Sequence, residues 1–262
     1  MQQRHLDKDI YFQEQEYTTQ KYVIPYVQDF LKVDKNLHVL EIGCGEAGNL
    51  KPFLDMGCIC VGVDMNKTRI EFSKQRFANH PNKHLLQLVT ANIYDKLDEY
   101  KEEFDLIILR DVIEHIHEQE KFLHHVKKLL KPTGKIFFGF PPWQNPFGGH
   151  QQICQSKLLS VTPYFHLLPN PLYVGILKLF GENKIMIDDL LEIKETGISI
   201  ERFENILRKE NWKIDRKTFY FINPNYEVKF KLKPRESYSF LSKIPVLRNF
   251  WVTACYYLIS KN

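Results

Sequence analysis

Two groups of residues have types and spacings that could do chemistry. The first is a glycine turn flanked by carboxylates: Glu41, Gly43, Gly45 and Gly48, followed by Asp64. Glycine tolerates positive φ and lets a ligand approach where a Cβ would collide. A helix starting just after such a turn would offer free N–H groups and a positive dipole end to an anion. A carboxylate at the end of the next strand, Asp64, can accept both hydrogen bonds from a ribose diol. The second group is a pair of imidazoles. His115 follows the fourth strand candidate, and His150 closes the stretch Pro-Pro-Trp-Gln-Asn-Pro-Phe-Gly-Gly-His. An imidazole titrates near neutrality and can take a proton from an attacking hydroxyl. Around it, Trp143 and Phe147 could stack on a ring or sugar face, while Gly148 and Gly149 would let the backbone crowd a substrate. The competing readings are a helix-start histidine that only shapes a pocket and an ordinary surface loop.

These residues need a frame to hold them. Short β-type runs alternate with helix-periodic segments, the pattern of βαβ units and a parallel sheet. The strand candidates are His38–Ile42, Ile59–Val63, Leu85–Thr90, Phe104–Leu109 and Lys135–Phe140. A helix with the stripe Phe122, Leu123, Val126, Leu129 and Leu130 stops at Lys131-Pro132-Thr133-Gly134, since proline cannot continue it and glycine allows reversal. From 141 to about 197 the pattern turns irregular, and a connection that long is usually a lid or binding loop. Periodicity returns at Ile200, Phe203, Ile206 and Leu207. Trp212–Ile222 and Tyr226–Lys231, joined by Asn223-Pro224-Asn225, read as an antiparallel edge hairpin. The aromatic tail Ser237–Asn262 reads as helical.

Composition sets the remaining bounds. The 262 residues are 44% hydrophobic and 26% charged, which is ordinary globular material. The net charge of +4, from 36 basic and 32 acidic residues, is too small and too dispersed for a nucleic-acid-binding face. The polar start Met1–Asp9 does not read as the apolar core of a signal peptide, and no apolar run reaches the roughly 20 residues of a membrane span. Of the five cysteines, Cys58 and Cys60 read as buried thiols on one strand face, so a reducing cytoplasmic location is expected.

Alone, Gly43-x-Gly45-x-x-Gly48 also matches the dinucleotide fingerprint. Its neighbours decide: Glu41 stands two residues before the first glycine, where a nicotinamide-binding strand is normally apolar, and Asp64 ends the next strand. The run Val39–Leu50 resembles the first motif of class I S-adenosylmethionine-dependent methyltransferases. Three further stretches match in order: Ala91-Asn92-Ile93, Phe104–Ile116 with its trailing Glu114-His115, and Leu129–Lys135. The resemblance is strong over residues 37–140 and looser over 212–231. It departs at Asn92, where many members carry Asp.

The resemblance implies S-adenosyl-L-methionine as cofactor, held by Glu41, Gly43, Cys44, Gly45, Asp64, Met65, Asn92, Ile93 and Arg110. It implies a Rossmann-like doubly wound α/β sheet, mostly parallel, with the antiparallel edge hairpin and a helical cap. The expected organisation is one domain over 1–262: a cofactor-binding core at 37–140, a substrate-cap insertion at 141–198, a final helix and edge hairpin at 199–232, and a helical tail at 237–262. The N-terminal segment, with Tyr22, Tyr26, Val27, Phe30 and Leu31, is expected to close over the cofactor.

The expected reaction is in-line methyl transfer to a small-molecule, sugar or lipid-linked acceptor, at a hydroxyl, with His150 as preferred base and His115 as its alternate. Because the donor is already activated, alignment alone can supply on the order of 7–11 kcal/mol. Asp111, Glu114 and His115 are spaced like a cluster in ubiquinone-pathway O-methyltransferases that implies a divalent cation, but three ligands on one turn are a thin set, and no metal is expected. Leu167–Phe180 and Val246–Ile259 could form an interfacial patch for peripheral membrane contact, although packing as a cap is the plainer reading. Rival functions are a non-catalytic S-adenosylmethionine-binding module and a nicotinamide-dependent oxidoreductase.

Overall fold

The computed structural model describes residues 7–262, so the polar start lies outside it up to Leu6. Eight strands form one sheet in the order β3-β2-β1-β4-β5-β8-β6-β7. The strands β1 His38–Ile42, β2 Ile59–Asp64, β3 Leu86–Thr90, β4 Phe104–Arg110 and β5 Leu130–Phe140 are mutually parallel. The order reverses between β1 and β4, so their carboxyl ends border the crevice where such sheets take ligands. The Rossmann-like expectation is therefore met.

Both faces of the sheet are covered, and alternation along each strand sorts the side chains. In β1, Val39 enters one apolar cluster while Leu40 and Ile42 enter the other. On the first face lie Phe53 and Leu54 of α3 (Lys51–Asp55) and Ile70 and Phe77 of α4 (Lys67–Phe77), together with Phe12 of α1 (Lys8–Thr18) and Tyr26 and Val27 of α2 (Ile24–Gln28). The opposite face takes Phe122, Leu123 and Val126 of α5 (Gln119–Val126), and Phe203, Ile206 and Leu207 of α9 (Ile200–Lys209). All five cysteines are free and buried.

Three elements differ from the sequence reading. The tail is no helix: Ala254–Lys261 is β8, inserted antiparallel between β5 and β6 (Trp212–Ile222). Its run Cys255-Tyr-Tyr-Leu-Ile sends alternate side chains to both apolar faces, and a run apolar on both sides carries no period to separate strand from helix. Tyr226–Lys231 is no strand but α10, Asn225–Phe230, so the expected hairpin is absent there. Pro224 enters in the helical region, Tyr226 and Phe230 meet one turn apart with ring centroids at 5.3 Å, and Lys231 ends the helix at φ 60. The sheet's edge partner is the two-residue β7, Arg235–Glu236.

The stop expected at residues 131–134 lies inside β5, whose register against β4 shifts between Phe104 and Leu106. A Cβ on Gly134 would sit 2.7 Å from the Phe104 carbonyl oxygen, so the glycine lets the strands stay close there. The insertion is helical, as the expected cap: α6 Lys157–Val161, α7 Asn170–Leu179 and α8 Lys184–Thr196. Leu159, Tyr173, Leu177, Ile187 and Leu190 give it a small core of its own. Among the described residues no helix is long and apolar enough to cross a membrane.

Candidate active site

The glycine turn runs straight out of β1. Gly43 and Gly45 take φ 70 and 52, where a side chain would be strained, and a Cβ on Gly43 would meet Val112 Cγ2 at 2.7 Å. Both flanking carboxylates come to this turn. Asp64 Oδ2 accepts from the Gly45 amide at 2.8 Å, and its Oδ1 accepts from the Asn66 amide at 2.7 Å. Glu41 is buried; its Oε1 accepts from Asn49 Nδ2 at 2.6 Å, while Oε2 has no hydrogen-bond partner. Burial raises the Glu41 carboxyl to about 8, against the opposing pull of Asn49 and Arg110.

The amides of the turn are not free, as the sequence reading had them. Gly43 and Cys44 donate to the Val63 carbonyl at 2.8 and 3.2 Å, and Gly48 donates to Gln15 Oε1 at 3.1 Å. The following helix α3 begins only at Lys51. Recognition at this turn therefore falls to shape and to side-chain acceptors rather than to a helix N-terminus.

The third glycine has a different role from the first two. A Cβ on Gly48 would lie 2.5 Å from the Phe12 carbonyl oxygen and 2.8 Å from Gln15 Cβ, because α1 lies directly on the turn. Thr19 Oγ1 and Arg110 Nη1 both donate to Asn49 Oδ1, at 2.7 and 2.8 Å. Arg110, expected at the cofactor, thus spends a guanidinium nitrogen on the residue that holds Glu41. The N-terminal segment reaches the turn through α1, whereas Tyr26 and Val27 are buried against the sheet. It also brings Tyr11, which the sequence reading missed. Burial, followed by the charge of Asp111, raises its phenol pKa, and Arg110, Glu46 and Arg69 also act on it. The polar stretch that carries it showed no apolar stripe to mark a docked helix.

The remaining cofactor candidates spread over the crevice. The Cys44 side chain points inward, beside Gly62, and Ile93 is part of the core. Asn92 uses Oδ1 to cap a short turn through the Tyr94 amide at 3.1 Å, and Met65 is 74% exposed at the rim.

His115 and His150 come together from loops after β4 and β5, with ring centroids 5.0 Å apart and planes at 70°. Each of Glu114, His115 and His150 offers a ligand atom within 4.8 Å of the others; this trio holds His150 where the sequence spacing suggested Asp111. Glu114 is buried with neither carboxyl oxygen hydrogen-bonded, and burial together with Asp111 drives its pKa far above the usual carboxylate range. His115 is exposed at its surface, yet desolvation by the surrounding protein lowers its pKa, with Asp111 and Glu192 opposing. His115 also borders a cleft of about 290 Å³ with Ile153, Asp189, Glu192, Ile193 and Thr196. A larger groove of about 610 Å³ between α5 and α9 contains none of the candidate residues. Asp111 and His150 both hold positive φ, 55 and 54, a backbone cost that tends to cluster at functional sites.

The loop between β5 and His150 corrects two expectations. Trp143 does not present its face for stacking; its amide donates to Ile198 O at 2.9 Å and its ring packs edge-on to His166 at 5.1 Å and against Gly197. Gly148 and Gly149 are crowded by Trp143 and His166 of the protein itself, not left open to a substrate.

The frame and the occupied motif positions find matching relatives. Residues 40–138 match the model of a methyltransferase domain family. Over this core the chain is similar to class I S-adenosylmethionine-dependent methyltransferases. It is 31% identical over 103 residues to a ubiquinone biosynthesis O-methyltransferase of Pelagibacter ubique, and 33% over 102 residues to that of Bartonella tribocorum. Each match spans 39% of this chain, and 41% and 40% of those relatives. Among solved structures, magnesium protoporphyrin IX methyltransferase from Synechocystis, with bound SAH, superposes with a TM-score of 0.52 at 14% identity. That match covers 95% of this chain and 84% of the other. Geranyl diphosphate C-methyltransferase from Streptomyces coelicolor gives 0.54 at 13% identity, over 92% and 80%. These structures share the methyltransferase fold. The family match ends at residue 138, so the cap and β8 lie beyond it.

Proposed function

We propose that this chain transfers the methyl group of S-adenosyl-L-methionine to a hydroxyl of a small-molecule acceptor, in the cytoplasm. One observation carries the reading. Two imidazoles from separate loops meet at the carboxyl edge of the sheet, beside the carboxylate-flanked glycine turn of a methyltransferase domain.

The residues of the turn suit the cofactor. Gly43 and Gly45 take the positive φ that the bend requires, and Glu41 Oε2 is buried without a hydrogen-bond partner, where a bound ammonium group would draw the carboxyl into its ionised form. Asp64 already binds two amides, yet each carboxylate oxygen can accept a second hydrogen bond, which leaves room for a diol. When bound, the cofactor supplies an activated methyl on sulfur. Gly43, Gly45, Glu41 and Asp64 would hold it; Cys44, Met65, Asn92 and Ile93 would line it; and Arg110 would position Glu41 through Asn49.

The chain's own task is then to align the acceptor and take its proton. His150 is the proposed base and His115 its neighbour and alternate. Desolvation lowers the His115 pKa, which favours the neutral imidazole that can accept a proton. The ubiquinone-biosynthesis relatives favour a catechol-like hydroxyl among the acceptors; sugar and lipid-linked hydroxyls form the wider class.

The test is transfer of labelled methyl from S-adenosylmethionine to a panel of catechols, sugars and polyprenylated phenols. Label appearing on an acceptor oxygen supports the reading. Cofactor binding with no transfer to any class would leave a binding module instead.

A further inference from the structure

The cap and the segment before β8 leave an unusual amount of apolar side chain in water. On α6, Leu158 and Val161 are 60% and 59% exposed, and Tyr164 lies exposed just beyond. Across from them, around the short helix α11 (Ser239–Ser242), Phe240 is 66% exposed, and Tyr238, Ile244, Val246 and Leu247 are exposed with it. The two groups adjoin. Tyr164 donates its hydroxyl to the Phe250 carbonyl at 3.0 Å, and the two rings lie 6.3 Å apart. Contiguous exposed apolar surface rimmed by polar groups marks an interaction site.

The charge around this patch is mostly basic. Lys231, Lys233, Arg235 and Lys243 are exposed along the second group and Lys157 along the first, while residues 228–250 contain a single acid, Glu236. The geometry points to a docking surface for an anionic lipid bilayer. Apolar and aromatic side chains would enter the headgroup boundary, and the flanking lysines and arginine would meet lipid phosphates. A second copy of this chain fits worse, because a twofold contact over the patch would set these cations against their own equivalents.

The patch is also tied to the acceptor side. The Tyr164 amide donates to the Pro146 carbonyl at 2.8 Å, and Gln151 Nε2 bridges Pro146 O and Thr162 O at 2.8 and 3.1 Å. The loop carrying Phe147 and His150 is thereby fixed to the face that meets the bilayer, which suits an acceptor drawn from the lipid phase. This last point rests on the proposed methyl transfer; the docking itself does not.

The experiment is co-sedimentation of the full chain with phosphatidylcholine vesicles, with and without phosphatidylglycerol. Binding is expected to the anionic vesicles and to fall with added salt. The pair Phe240→Ser with Val246→Ser, and the pair Lys231→Glu with Lys233→Glu, should each weaken it at least about tenfold. Unchanged thermal melting of both variants would show that the fold is intact. The proposal is overturned if the chain binds neither vesicle, if it binds both equally, or if neither pair of changes alters binding. Sedimentation velocity gives a further check: a dimer that Phe240→Ser with Val246→Ser abolishes would assign the patch to a second copy.

Discussion

The carboxyl of Glu41 holds Asn49 with one oxygen and leaves the other buried without a partner, and burial lifts its pKa to about 8. The folded value lies above the ordinary 4.5, so the protonated form is the one the fold favours. Stability from this group is complete below about 4.5 and is lost as pH rises through about 8. Glu41→Gln removes that dependence while keeping an acceptor for Asn49. The melting temperature of the wild type relative to Glu41→Gln should therefore fall steadily between about pH 5 and pH 9. A constant difference across that range would show that Glu41 is ionised throughout.

The imidazole pair makes a second prediction at the same scale. His150→Ala should lower turnover at least about tenfold with cofactor affinity nearly intact, because proton acceptance is removed and donor binding is not. The rate should rise with pH as the base loses its proton, and that inflection should move in the variant. Full activity of His150→Ala from about pH 6 to pH 9 would pass the role to His115 or to alignment alone. The neighbouring Glu114 bears on metal binding. Its carboxyl favours the protonated state, and a cation would have to displace that proton before using it as a ligand. Exhaustive chelation is accordingly expected to leave turnover unchanged. Loss of activity with recovery on added magnesium would assign the Glu114, His115 and His150 trio to a metal.

At the scale of elements, α1 is the piece that turns a glycine loop into a closed site. Its backbone oxygen at Phe12 lies where a Cβ on residue 48 would go. Gly48→Ala should push α1 off the turn, with a stability loss of about 1–3 kcal/mol and faster hydrogen exchange in residues 8–18. Unchanged melting and exchange would mean that α1 tolerates a shift and is no fixed lid. Short apolar runs bounded by turn signals, β1 to β5, and the helical stripes of α5 and α9 were legible in the sequence. Those carrying two compatible periods were not. Tyr226, Val228 and Phe230 satisfy alternation, yet Tyr226 and Phe230 are equally one helical turn apart, and Pro224 settles the matter as a helix entry. In β8 both faces are buried, so the apolar run held no alternation to read. At the site, the glycines and carboxylates of the turn were legible, as were His115 and His150 singly, but not that the two rings meet. The partners of Trp143, Gly148 and Gly149 were not, because His166 and Gly197 reach them from later in the chain.

For the whole molecule, the sheet order and the β1/β4 reversal place the glycine turn, Asp64, Asp111 and the two histidines along one edge. The central claim is that this edge is built around a sulfonium nucleoside rather than a nicotinamide dinucleotide. Isothermal titration of the full chain with S-adenosylhomocysteine, and separately with NAD, tests it most directly. The account predicts saturable binding of S-adenosylhomocysteine, no binding of NAD, and a weakening of about 1.5–3 kcal/mol in Asp64→Ala, the scale of hydrogen bonds to a charged group. Tight NAD binding with no response to S-adenosylhomocysteine would contradict it.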